Sequence, residues 1–199
     1  MKNRVIGLTG QTGAGKSTVA GFAKALGCRI IDADLVAREA LESGSECLKE
    51  LSVHFGSDIL DKDGSCRRDV LARRAFSSRK NTELLNKTTH PWIIRRIKEY
   101  IEKSVTDGLV IIDAPLLFES GADSLCGCVI AVTAPEQLRL ERIMKRDGIP
   151  REDALLRIGA QQEELYYTSR ADYIINGSEP EEKVKKHTEE IISKLLQKR

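Results

Sequence analysis

The sequence predicts an α/β protein: a parallel sheet with helices packed on both faces. Three observations carry this. Runs rich in β-branched residues alternate with helix-like stretches, the order expected of strand–helix–strand units. The strand candidates hold adjacent apolar residues, such as Val5-Ile6 and Ile174-Ile175, as strands buried on both faces do. The first candidate runs straight into a glycine-rich turn and then a helical pattern. The five candidates are Val5–Thr9, Arg29–Asp32, Leu109–Asp113, Val129–Thr133 and Tyr173–Ile175.

The turn after the first strand reads Gly10-Gln11-Thr12-Gly13-Ala14-Gly15-Lys16-Ser17 and fits G-x-x-x-x-G-K-[ST] at every fixed position. In such a loop the backbone N–H groups point inward, and the following helix adds the positive end of its dipole. Lys16 reaches the outer phosphates, and the Ser17 hydroxyl can hold Mg²⁺. A helix is predicted from Ser17 to Leu26, stopping at Gly27. The bland alternative is a glycine turn that binds nothing. The strand before and the helix after favour nucleotide binding.

The second strand ends in Asp32-Ala-Asp34. Ligands of open α/β sheets lie beyond the carboxyl ends of strands. In an extended segment, residues two apart point the same way, so Asp32 and Asp34 form a candidate pair for Mg²⁺ or for an attacking hydroxyl. Equally, either one caps a helix starting near Leu35. From Ala33 to Asp107 the chain reads as mostly helical, far more than one crossover needs. A helix break is predicted at His90-Pro91. A second helix follows, marked by Trp92, Ile93, Ile97 and Ile101, with Pro91 in its first turn. Ahead of both helices lies a turn-rich excursion over Phe55–Ser65. This region reads as a helical substrate-binding insertion. The third strand ends at Asp113, which resembles a Walker B acid and is a candidate Mg²⁺ ligand.

Thr133-Ala-Pro-Glu136 carries a capping-box pattern and opens the next helix. Its Arg139, Arg142 and Arg146 fall at i, i+3 and i+7, on one face. Such a stripe is either solvated or part of a lid that neutralises a transferring phosphoryl group, with Arg142 the best single candidate. Pro180 starts a last helix with a packing face of Val184, Ile191, Ile192, Leu195 and Leu196.

Composition bounds the rest. At 199 residues, 41% hydrophobic and 31% charged, the chain is one ordinary globular domain. A net charge of +2 gives no reason to expect nucleic-acid or membrane partners. No apolar stretch approaches the ~18 residues of a membrane span, and no signal-peptide pattern opens the chain. The five cysteines are odd in number and irregularly spaced, with only Cys126-Gly-Cys128 close, so thiols in a reducing cytoplasm are expected rather than zinc. The sole Asn-Lys, Asn86-Lys87, lacks the Asp of a guanine-binding segment, which argues against a GTPase.

The segments Gly7–Thr18, Asp32-Ala-Asp34-Leu-Val-Ala-Arg38, His90-Pro91, Pro115-Leu-Leu-Phe-Glu119, Arg142-x-x-x-Arg146-Asp147-Gly148, Arg157-Ile-x-x-Gln161 and Ala171–Asn176 together resemble the dephospho-coenzyme A kinase family. They occur in the family's order and span nearly the whole chain. The resemblance implies a P-loop kinase domain over residues 1–199: a three-layer core with a five-stranded parallel sheet (about 1–34, 108–134 and 160–199), a helical CoA-binding subdomain (about 35–107) and a lid (about 135–159). It implies ATP, with Mg²⁺, as phosphoryl donor to the ribose 3′-hydroxyl of dephospho-CoA. Gly10, Gln11, Thr12, Gly13, Ala14, Gly15, Lys16, Ser17 and Thr18 would hold the nucleotide, with Asn176 near the adenine. Asp34 would be the base, Arg38 and His90 would place dephospho-CoA, Arg142 would act from the lid, and Ser17 would meet the metal. A cytoplasmic monomer or weak homo-oligomer is expected. Two departures stand out. Gln11 and Thr12 occupy loop positions where the family often has Gly and Ile, and Asp113 is not a fixed element of the family pattern. The residues alone leave open a nucleoside or nucleoside-monophosphate kinase, and a non-catalytic ATP-binding module.

Overall fold

The computed structural model describes residues 4–104 and 108–197. The insertion's expected boundary at residue 107 and the chain's outermost residues lie outside them. The chain divides into two compact units, Met1–Ile31 with Lys103–Arg199, and Asp32–Glu102.

The first unit is the sheet. Its strands are β1 (Val5–Thr9), β2 (Arg29–Asp32), β3 (Val110–Asp113), β4 (Cys128–Thr133) and β5 (Tyr173–Asn176), in the order β2-β3-β1-β4-β5 and all parallel. All five residues of β1 are buried. Ile6 and Leu8 face a core shared with α1 (Lys16–Ala25) and α9 (Glu181–Gln197), through Val19, Ala23, Ile191 and Ile192. Gly7 faces the other way, against Leu117, Cys126 and Val129, so the sheet is covered on both sides. β1 stands between β3 and β4, and its carboxyl end is the point where ligands of open α/β sheets bind.

After β4 come α6 (Glu136–Asp147), α7 (Arg151–Gly159) and α8 (Glu164–Thr168). Leu140 and Ile143 of α6 pack on Ala154 and Ile158 of α7 in a cluster of their own. The predicted capping box does not form: no side chain caps α6, and Pro135 occupies the cap position. Thr133 is held in β4 by register with Asn176, so it cannot turn to cap a helix.

The second unit holds α2 (Ala33–Glu39), α3 (Glu46–Phe55) and α4 (Arg68–Ala75), and most of α5 (Arg79–Ser104). Its core is Leu48, Leu51, Phe55, Ile59, Val70 and Leu71. The turn-rich excursion over 55–65 is a 3-10 turn at Ser57–Ile59, clamped by Arg74, which pairs with Asp58 and donates to Phe55 O. The predicted break at His90-Pro91 is absent, because α5 runs unbroken through Pro91. A proline inside a helix removes one hydrogen bond and costs about 3 kcal/mol. Leu84 and Leu85 before it and Trp92 after it pack on the same core, which holds the two halves in one axis.

Candidate active site

The Gly10–Ser17 loop joins β1 to α1. Its turn closes through Ala14 N–H to Gln11 O at 3.2 Å, and Gly15 caps α1 in the left-handed region at φ 108°. The N–H groups of Gly13, Gly15 and Ser17 make no backbone hydrogen bond among the described residues. They form a ready cradle for phosphate oxygens at a helix N-terminus. Lys16 arches over the loop, its Nζ donating to Gly10 O at 2.8 Å. Ser17 and Thr18 are exposed at the mouth.

The back of the loop is built backbone to backbone. A Cβ on Gly13, at φ 77°, would stand 2.7 Å from Arg139 O of α6. A Cβ on Gly177, just beyond β5, would stand 2.0 Å from Ala14 O. Arg142 fastens the same contact. Its Nη1 donates to Gly13 O at 3.2 Å and Ala14 O at 3.3 Å, and its Nη2 donates to Gly177 O at 2.8 Å. Asn176 shapes the turn: its Oδ1 accepts from Ser178 N at 3.0 Å and from Ser178 Oγ at 2.6 Å.

The three arginines of the stripe therefore part company. Arg142 braces the loop. Arg146 turns to Asp147, which Arg157 also meets. Arg139 is only 4% exposed, and its Nε and Nη1 have no hydrogen-bond partner among the described residues. Burial, only partly offset by Glu136, Glu164 and Tyr167, lowers its basicity. Glu119 Oε2 is likewise buried with no hydrogen-bond partner among the described residues, and burial raises that carboxyl above its ordinary range.

The outer limb of the loop meets the turn between α7 and α8. Thr12 N–H donates to Gln161 Oε1 at 2.8 Å, and Gln11 Nε2 donates to Gln162 O at 2.9 Å. Gly177 and Gln162 carried no sequence motif of their own. Gln161 stood inside a family segment without a role, and the loop contact supplies one.

Asp113 ends β3, in register with Leu8 of β1, one residue short of the strand's end. Ser17 and Asp113 are hard oxygen donors in the sheet unit. Mg²⁺ in phosphate sites takes only one or two protein carboxylates or hydroxyls besides phosphate and water oxygens, so these two residues fit it.

In the second unit, the reading of Asp32 and Asp34 as a strand pair does not hold. The strand stops at Asp32, whose Oδ1 accepts from Asp34 N at 2.8 Å and Leu35 N at 3.1 Å, so Asp32 is the cap of α2. Asp34 sits in the first turn and is exposed, with Arg38 at i+4 on the same helix face. His90 lies half-buried on α5, and burial lowers its imidazole below the usual value. The same unit carries a polar network in which Arg96 meets Glu39 at 2.9 Å and Glu99 at 2.7 Å, and Tyr100 donates to Glu39 at 2.7 Å.

A family model described as dephospho-CoA kinase matches residues 4–182. A protein of Corynebacterium diphtheriae named dephospho-CoA kinase is 45% identical, over 88% of this chain and 88% of its own length. Among solved structures, one from Thermus thermophilus aligns with a TM-score of 0.80 at 31% identity, over 96% of this chain and 97% of that one. The dephospho-CoA kinase from Campylobacter jejuni aligns with a TM-score of 0.73 at 29% identity, over 99% and 98%.

Proposed function

The chain belongs to the dephospho-CoA kinase family, and from that premise we propose which of its residues run the family's reaction. The enzyme transfers the terminal phosphoryl group of ATP to the ribose 3′-hydroxyl of dephospho-CoA, giving coenzyme A and ADP, the final step of coenzyme A synthesis. The observation that supports the residue roles best is the phosphate cradle: open N–H groups at Gly13, Gly15 and Ser17, with Lys16 arched over them.

ATP lies with its phosphates on Gly10–Thr18. Lys16 exchanges Gly10 O for phosphate oxygens and offsets the charge that builds up between the β- and γ-phosphates. Ser17 and Asp113 would hold Mg²⁺, which would supply positive charge to offset that of the phosphates. Asn176 shapes the turn beside the adenine. The Asp32–Glu102 unit, with the residues up to about 107, holds dephospho-CoA. Asp34 aligns the 3′-hydroxyl and takes its proton late, because a loose transition state needs little deprotonation. Arg38, one turn further along α2, binds an anionic group of the same substrate. His90 is kept neutral by burial and hydrogen-bonds rather than pairs as a cation. Residues 135–159 form the lid that excludes water, with Arg142 at its root joining it to the loop.

No described helix is long and apolar enough to cross a membrane. We read the enzyme as a cytoplasmic monomer or weak homo-oligomer without nucleic-acid partners, on its near-neutral charge of +2.

An assay of ADP release with dephospho-CoA, adenosine and AMP tests the acceptor. Dephospho-CoA alone is expected to stimulate release, and no stimulation overturns the reading. Asp34→Asn is expected to lower kcat by about 10²–10⁴-fold with the ATP KM within about twofold. Near-normal turnover would remove Asp34 as the base.

A further inference from the structure

The turn after α7 carries two glutamines, and both meet the phosphate loop. The Gln161 contact fixes which way that side chain faces. Thr12 N–H is a donor, so the atom it meets must be the amide oxygen, and the NH₂ group points the other way. That NH₂ makes no hydrogen bond among the described residues, and Gln161 is half-buried. The backbone donor of Thr12 is thus consumed, and two side-chain donors are set further out in its place.

The turn itself is tied down. Gln11, only 7% exposed, donates to Gln162 O, so the residue next to Gln161 cannot drift from the loop. Gln11 makes its bond through the side chain and Thr12 through its backbone N–H.

The order along the loop says which phosphate is near. The backbone N–H groups at the start of α1 cradle the inner phosphates, while the Lys16 side chain, which reaches the outer ones, runs back along the loop to Gly10 O. Gln11–Gly13 form the opposite limb, so the outermost phosphate of the row falls on the side of Thr12. The backbone of Arg139 abuts Gly13 on that limb.

We infer that Gln161 donates its amide NH₂ to the terminal phosphate of ATP, with Thr12 fixing its orientation and Gln11 fixing its turn. The inference rests on the reading of Gly10–Ser17 as the ATP site. ADP lacks the terminal phosphate, so Gln161 favours substrate over product.

Calorimetric titration of the full chain with a magnesium complex of a non-hydrolysable ATP analogue, and separately with Mg·ADP, tests it without any acceptor present. Gln161→Glu keeps an oxygen for Thr12 but sets a carboxylate beside the phosphate. It is expected to weaken the ATP analogue by about tenfold or more and ADP by less than about twofold. Gln161→Met keeps the length but removes donor and acceptor, with an expected loss of about three- to tenfold for the analogue alone. Equal losses for both nucleotides would make Gln161 a strut of the loop, and an unchanged analogue affinity would remove it from the site. Either result overturns the inference. Wild-type nucleotide affinity with no stimulation by dephospho-CoA would instead fault the acceptor and leave Gln161 standing. If Gln161→Glu fails to fold, Gln161→Met decides alone.

Discussion

The back of the phosphate loop and the Asp32–Glu102 unit are held together in opposite ways. The loop is fixed by backbone. Gly13 and Gly177 touch neighbouring main chain where no Cβ fits, and Arg142 ties three carbonyls together. The helical unit is fixed by interchangeable side chains: an aliphatic cluster around Leu51, and exposed pairs such as Arg95 with Glu46 at 2.9 Å. Backbone contact allows one residue type, whereas side-chain packing allows many. The loop should therefore break at single atoms, and the helical unit should absorb most changes.

Lys16→Ala probes the loop's chemistry and has the largest expected effect. The cradle is expected to keep its shape, since its turn is closed by main-chain atoms, Ala14 N–H to Gln11 O. Turnover should fall by at least about 10³-fold, because the proposed mechanism loses its charge-stabilising donor at the transferring group. Thermal unfolding should barely move. If steady-state assays retain more than about a tenth of turnover, Lys16 is not the phosphate-charge residue.

Gly177→Ala probes the loop's fit. The new methyl would overlap Ala14 O, so the turn or the loop must shift. Overpacking of this kind costs about 1–3 kcal/mol, and the ATP KM should rise because the shifted part is the cradle. Gly21 supplies the contrast, since a Cβ there meets nothing within 4 Å. Gly21→Ala, inside α1, should stabilise by about 0.5–1 kcal/mol. Denaturant titration of both variants reads the difference, and a neutral Gly177→Ala would show that the backing tolerates side chains after all.

Pro91→Ala asks the complementary question of the helical unit. Alanine restores the N–H that Lys87 O lacks and removes the ring from an exposed helix face. A gain of about 1–3 kcal/mol is expected, the range set by how far α5 has already adapted to the ring. A loss would mean that the proline geometry itself is needed by the packing of Leu84, Leu85 and Trp92.

The same division explains what could be read from the chain. The strands and the loop were legible because Gly10–Ser17 is a backbone requirement written in residue types. The third strand begins one residue later than expected, at Val110, and the fifth extends to Asn176. Asp32 stood between two readings, because a carboxylate after a strand looks alike as cap or ligand until the next N–H groups are placed. Pro91 was misread because local cost was visible and the shared core that outweighs it was not. The capping box at Thr133 failed for the same reason, since register with Asn176 is a long-range fact. Gln162 acts through its main-chain carbonyl, which any residue type would offer, and the need for glycine at 177 arises only from its long-range contact with Ala14 O.

The smallest expected effect is a pH dependence in the helical unit, carried by His90. Burial holds its imidazole below the ordinary value of about 6.5, so the unfolded chain binds the proton more readily than the folded one. Stability then rises with pH wherever the unfolded state carries more protons. The contribution of His90 is fully present above about pH 6.5, declines as pH falls toward the folded value, and levels off below it. His90→Gln removes the titration. The difference in unfolding free energy between variant and wild type, followed from about pH 8 to pH 5, should favour the variant progressively as pH falls. A difference that stays flat would mean the imidazole ionises as freely in the folded unit as in the unfolded chain. In the role proposed for it with dephospho-CoA, it would then act as a partial cation rather than as a neutral hydrogen-bonding ring.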